Sequence, residues 1–210
     1  SLHFSCSKGH LDIVSLLIEK GADIEHARDD EGGTPLLHSC QVGHYKVAEL
    51  LISKGANIEA RTSDGFTPLL HAWQLRHYKV AELLIEKGAD LEARDHQGWT
   101  YLLHSCFLGH YKVAEFLISK GANLEARTDQ GTTSLHFSCS KGHLDIVSLL
   151  IEKGAGIEAS DTEGSTPLHI SCRHNHYKVA EFLISKGADL EARMTDNGAT
   201  PLQLVSGKGH

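Results

Sequence analysis

Histidine and cysteine are the residues best equipped for chemistry in this chain, which carries 16 of the first and 5 of the second among 210 residues. Imidazole and thiolate are the common ligands of zinc and a frequent base and nucleophile pair of covalent catalysis. Their spacing argues against both uses. Cys6, Cys40, Cys106, Cys139 and Cys172 hold one place of an internal repeat, with Trp73 in that place once. Equivalent residues on neighbouring packed helices lie roughly 8–10 Å apart, beyond the ~7 Å Cα limit of a disulfide. Buried thiols in a reducing interior are expected. His10, His44, His77, His110, His143, His176 and His210 are a second such place, and His3, His136 and His169 a third. A residue that returns once per repeat reads first as a packing or hydrogen-bonding element. Arg173-His174-Asn175-His176 offers an alternating pair but no three-ligand cluster, so no metal and no cofactor are expected. Histidines buried neutral would make the fold sensitive to mild acid. There is no glycine-rich phosphate loop, nucleophile elbow or His-Glu-x-x-His run, and the acids and bases repeat evenly instead of converging. An enzyme is not expected.

The elements that position these residues follow from the repeat itself. The histidine of the Gly-His step recurs at intervals of 34, 33, 33, 33, 33 and 34 residues. Gly-Ala recurs in step at Gly21, Gly55, Gly88, Gly121, Gly154 and Gly187, and Ser1–Ala22 is identical to Ser134–Ala155. Within one repeat, Thr34 offers an N-cap hydroxyl, and Pro35 fills the first helical position, where a missing N–H costs nothing. A short apolar helix runs to Val42, and Gly43 closes it in a left-handed conformation. His44 opens a second helix with Val47, Ala48, Leu51 and Ile52 on one stripe, Lys54 in its last turn and Gly55 as its stop. A turn-rich segment from Ala56 to Phe66 follows, with Asp64-Gly65 as its tip. Neither helix buries its apolar stripe alone, so neighbouring repeats must supply the other wall.

Composition narrows the function classes. The formal charge of −7 argues against a nucleic-acid binder with a basic face. No apolar run approaches the ~18 residues of a membrane span, and Ser1-Leu2-His3-Phe4-Ser5-Cys6 does not open like a signal peptide. An intracellular location, cytoplasmic or nuclear, is expected. The abrupt ends, without polar capping repeats, suggest a piece of a longer array and possible self-association through uncapped ends.

Thr166-Pro167-Leu168-His169, with Gly-His and Gly-Ala in register through six further units, resembles the ankyrin repeat. The resemblance covers essentially the whole chain. It implies an all-α repeat solenoid: one ankyrin repeat domain over 1–210, in units of approximately 1–28, 29–61, 62–94, 95–127, 128–160, 161–193 and 194–210. Each unit would hold paired antiparallel helices and a β-hairpin finger. The departures are specific. Leu37, Leu70 and Leu103 occupy the usual histidine place, Tyr101 and Ser134 replace the helix-opening proline, and Arg76 and Asn175 replace the glycine of Gly-His. A left-handed Arg76 would cost ~1–2 kcal/mol. Extra residues near His26 and between Ala192 and Gly198 lengthen two fingers.

The resemblance also places the candidate binding residues, because in this family partners dock in the concave groove lined by the finger bases and first-helix ends. Just before the helix-capping threonine most units carry Gly33, Thr132, Ser165 or Ala199, but the third and fourth carry Phe66 and Trp99. At the end of the first helix, Leu75, Phe107 and Leu108 contrast with polar equivalents such as Ser140-Lys141. Phe66, Leu75, Trp99, Phe107 and Leu108 therefore stand as apolar anchors, flanked by Arg61, Arg94 and Arg127. The alternative is that the aromatics fold back over neighbouring fingers. Glu59/Arg61, Glu92/Arg94, Glu125/Arg127 and Glu191/Arg193 form a charge ladder, with Glu25/Arg28 and Glu158/Ser160 as variants. It reads either as self-neutralising surface or as a hold on an acidic partner. The expected function is a scaffold that binds a protein or peptide. Two alternatives stand beside it: a regulatory or targeting arm of a larger enzyme or channel, and an engineered or duplicated array without a dedicated partner.

Overall fold

The computed structural model describes residues 1–25, 29 and 32–206. His26, Arg28 and His210, to which the repeat pattern gave places, lie outside the described residues. Contacts group the chain into two compact units, Ser1–His96 and Gln97–His210.

The first unit holds α1 (Leu2–Ser7), α2 (Leu11–Glu19), α3 (Pro35–Val42), α4 (Tyr45–Ser53), α5 (Pro68–Gln74) and α6 (Tyr78–Glu86). The second holds α7 (Tyr101–Leu108), α8 (Tyr111–Ser119), α9 (Ser134–Lys141), α10 (Leu144–Glu152), α11 (Pro167–Arg173), α12 (Tyr177–Ser185) and α13 (Pro201–Ser206). Each odd-numbered helix up to α11 packs on the helix that follows it, and successive odd-numbered helices pack on one another within a unit. The helices are six to nine residues long, well short of the ~12–15 residues at which an isolated helix becomes even marginal in water. Their stability therefore comes from tertiary burial. Leu36, Leu51, Leu69 and Leu84 are wholly buried in the first unit, and Leu102, Leu117, Leu135, Leu150, Leu168 and Leu183 in the second. One such side chain contributes about 1.5–3 kcal/mol when removed from water.

Helix starts and stops follow local chemistry. Thr34, Thr67, Thr100 and Thr166 accept the N3 backbone N–H on their side-chain oxygens. Tyr101 and Ser134 open their helices without proline, because the threonine cap before each remains. The last-turn lysines stand one step later than expected, as the C-cap residues that precede Gly55 and its equivalents. Gly154 (φ +93°) then closes α10, where the Ala155 N–H reaches the Leu150 carbonyl and the Gly154 N–H reaches that of Ile151. Arg76 and Asn175 adopt the left-handed region at φ 63° and 58° in place of glycine.

The fingers depart from expectation. Among the described residues no strand forms, and the fingers described in full are tight turns. In the second finger the Thr62 N–H donates to the Phe66 carbonyl and the Gly65 N–H to that of Thr62. Two closing bonds in five residues leave no room for a ladder. The finger charges find their partners in the next repeat's backbone. Glu59 Oε1 accepts the Asp90 N–H at 2.9 Å, Glu125 that of Gly156 at 2.8 Å, and Glu158 that of Asp189 at 2.8 Å. Arg61 Nη1 donates to the carbonyls of Gly65 and Arg94, and Arg127 Nη1 to those of Gly131 and Ser160. The ladder thus staples one finger to the next.

Two of the histidine places are struts of the same kind. In α9 the Thr133 N–H donates to His136 Nδ1 at 3.2 Å, so the ring proton sits on Nε2, which donates to the Ser165 carbonyl at 2.9 Å. His169 repeats the arrangement with Thr166 and the Ala199 carbonyl. Where leucine takes that place, Leu37, Leu70 and Leu103 are buried and the strut is absent. The second place bridges repeats at the other end of the helix: Nε2 of His44, His77 and His176 donates to the carbonyls of Ser7, Gln41 and Ser140. The four most buried thiols lie in the first-helix interface, and burial pushes Cys6 and Cys40 up to about 12 and Cys106 to about 11. Cys172 is only half-buried.

Two outcomes follow. A Cβ on Gly142 would stand 2.5 Å from His176 Nδ1, whereas one on Gly154 meets nothing, although both need a positive φ. Urea unfolding should show Gly154→Ala losing about 1 kcal/mol and Gly142→Ala about 2–4 kcal/mol, strain plus overpacking. Equal losses would refute the histidine contact. Burial lowers the His136 pKa in the fold, outweighing the bond to the Ser165 carbonyl, which raises it. The unfolded chain, at about 6.5, then binds the proton more readily. This stability is present above about pH 6.5 and is lost as the pH falls below it. The melting temperature should drop between about pH 7.5 and about pH 5.5, and less so in His136→Gln. Gln203 already shows that glutamine in this place accepts the cap N–H, from Thr200 at 2.9 Å.

Candidate functional site

The aromatic residues that break the repeat sit immediately before a capping threonine, and the cap directs them. A residue at this position packs against the fourth residue of the helix that follows, stapling the entering chain to the first turn. Phe66 does so onto His71, with ring centroids 5.3 Å apart, and Trp99 onto His104 at 5.0 Å. In both repeats leucine holds the strut place and histidine comes one residue later, directly beneath the ring.

In the first unit, Phe66 and His71 form a half-buried pair, with Leu75 45% exposed at the end of the same helix. Burial lowers the His71 pKa, and repulsion from His38 adds to it. Trp73, which replaces the cysteine, is buried beside Tyr78 at 5.5 Å and belongs to the helix interface.

The second unit holds a larger cluster. Trp99 meets Phe107 edge-on at 5.3 Å and lies tilted against Phe137 at 4.4 Å, while Phe107 and Phe137 meet edge-on at 5.6 Å. Such pairs add about 0.5–1.5 kcal/mol beyond their burial. Lys141 places its Nζ 4.3 Å from the Phe107 ring centroid, a cation over an aromatic face. Leu108, beside Phe107, is 49% exposed. An open cleft of about 340 Å³ lies against the cluster, lined by Trp99, Phe137, Gln97 and the finger residues Thr128, Asp129, Gln130 and Thr132.

Phe66, Trp99 and Phe107 pack back onto their helices yet remain half-exposed, while Leu75 and Leu108 face outward. Arg61, Arg94 and Arg127 are exposed along the fingers, with Arg61 and Arg127 tied to finger carbonyls as described. Three contributors escaped the sequence: Phe137, Lys141 and Asp129. The signal for Phe137 was there. The residue after the strut place is histidine at 38, 71 and 104 but phenylalanine at 137. The residue before its own cap is Thr132, too small to staple it, so the ring turns to Trp99. Among the described residues no group of three histidines, cysteines or carboxylates is placed to hold a metal ion. Among them, too, no helix is long and apolar enough to cross a membrane.

A family model for ankyrin repeats matches in three copies, at residues 1–62, 59–128 and 123–194. A probable E3 ubiquitin-protein ligase from rice (Oryza sativa subsp. japonica), XBOS33, is 60% identical over 37 residues, which are 18% of this chain and only 7% of that protein. The human ASB11 ankyrin repeat domain is similar in structure, with a TM-score of 0.80 and 26% identity over 97% of this chain and 90% of its own. So is an ankyrin repeat domain from Acinetobacter baumannii, with a TM-score of 0.82 and 26% identity over 90% of this chain and 98% of its own.

Proposed function

Since the chain belongs to the ankyrin repeat family, whose all-α repeats are typically non-catalytic protein-interaction modules, we propose that it is a scaffold for a protein or peptide partner. The docking face in the second unit is centred on Trp99, Phe107 and Phe137, with Leu108 at its edge. Phe66 and Leu75 offer a smaller patch in the first unit. The observation that carries this reading is the aromatic cluster beside an open cleft, with Trp99 and Phe107 at places that most other repeats fill with small or polar residues. Large aromatics held in one geometry lose little entropy when a partner covers them, which is how a few residues come to dominate an interface. In each unit the exposed finger arginines, Arg61 and Arg94 in the first and Arg127 in the second, orient the partner. The free, mostly buried cysteines suit a reducing, intracellular setting.

The match to part of a probable ubiquitin ligase favours a second reading, in which the same face is the targeting arm of a larger enzyme. That would change the fate of the bound protein and leave the binding residues as they are.

Affinity capture from the source cells tests the scaffold, with Trp99→Ala/Leu108→Ala and Phe66→Ala/Leu75→Ala as separate variants, each checked for an intact melting transition. The first pair should weaken binding of the captured partner by at least about 2 kcal/mol, roughly thirtyfold. Unchanged affinity in both folded variants would contradict the assignment.

A further inference from the structure

The cleft beside Trp99 has a chemical bias. Of the residues that line it, only Asp129 is ionisable, and the others are Trp99, Phe137 and neutral polar side chains. Its carboxylate stands against the residue next to the indole: a Cβ built on Gly98 would lie 3.3 Å from Asp129 Oδ1. Asp129 is exposed, and among the described residues no basic side chain forms an ion pair with it. The chain as a whole carries −7.

The rings already attract cations within the protein. Lys141 lies over Phe107. The identical segment near the start of the chain gives an internal control, because Phe4 and Lys8 there correspond to Phe137 and Lys141. Lys8 Nζ lies 5.7 Å from the centroid of its own Phe4. In the second unit the same lysine has moved to Phe107, and Phe137 is left to Trp99 and the cleft. Tryptophan is the strongest of the aromatic partners for a cation.

We infer that the cleft between Trp99, Phe137 and Asp129 receives a lysine or arginine side chain of the partner. The aliphatic stem lies on the rings and the charge faces the carboxylate. This rests on the scaffold reading above and adds to it the chemistry of the partner. Ring face, counter-charge and absence of a competing cation in the lining together select a basic side chain over an apolar one.

The test is an NMR titration of the full chain, following the indole N–H signal of Trp99, with the buried Trp73 as the internal reference. The probes are the capped tripeptides acetyl-Gly-Arg-Gly-amide and acetyl-Gly-Lys-Gly-amide, with the neutral counterparts that carry citrulline and norleucine. The basic probes should move the Trp99 signal saturably and leave Trp73 unmoved. The neutral probes should bind at least about fivefold more weakly, and Asp129→Asn should weaken the basic probes by a similar factor, a modest charge effect at an exposed site. Equal binding of the neutral probes, or an unchanged affinity in Asp129→Asn, would overturn the inference and leave an apolar anchor with the scaffold reading intact. No shift with any probe would overturn it as well. Partner capture by the Trp99/Leu108 variant decides the scaffold separately.

Discussion

Helices of six to nine residues do not stand in water by themselves, and every other feature of this protein answers to that constraint. Within each unit a repeat packs its first helix against that of its neighbour, so its leucines are buried only in company. The polar side chains serve the same end. The finger glutamates, the Nη1 groups of Arg61 and Arg127, and the imidazoles of His136 and His169 all bond to backbone groups of the following repeat. Functional groups that in another fold would suggest catalysis are here spent on joining neighbours. Their regular spacing is the reason.

In the proposed scaffold, recognition falls to the variation between repeats. Packing and stapling tolerate little change at the leucine, glycine and glutamate places, whereas the residue before the capping threonine has one side open. Phe66 and Trp99 use that freedom, and the cap geometry turns each ring onto the helix behind it. The surface so formed is part packing and part display. An interface residue that is half-held before binding has less disorder to lose when it is covered.

Much of this was legible in the residues. The repeat length, both helices, the threonine caps and the strained places at Arg76 and Asn175 all follow from local chemistry, which a sequence states directly. The hairpin finger came with the family resemblance, whereas the residues themselves read as a turn-rich segment with an Asp64-Gly65 tip, and the five-residue spacing closes too soon for paired strands. The glutamate and arginine ladder misled for another reason. Residues two apart look like partners along the chain, but their bonds run to residues some thirty positions away, a distance that only stacking makes short. Phe107 and Trp99 stood out in sequence as departures from the repeat. Phe137 departs too, from the histidines at 38, 71 and 104, but its identical counterpart Phe4 lies in a different setting, and one sequence in two settings gives two roles.

The dependence of each repeat on its neighbours is tested most directly by circular dichroism on the isolated fifth repeat, residues 128–160, whose two helices α9 and α10 are well formed in the chain. The account predicts a spectrum of unfolded chain at neutral pH, with helix appearing only when the flanking repeats are attached. A cooperatively melting helical peptide would contradict it, for the leucines and finger bonds would then be ornaments on helices already stable alone.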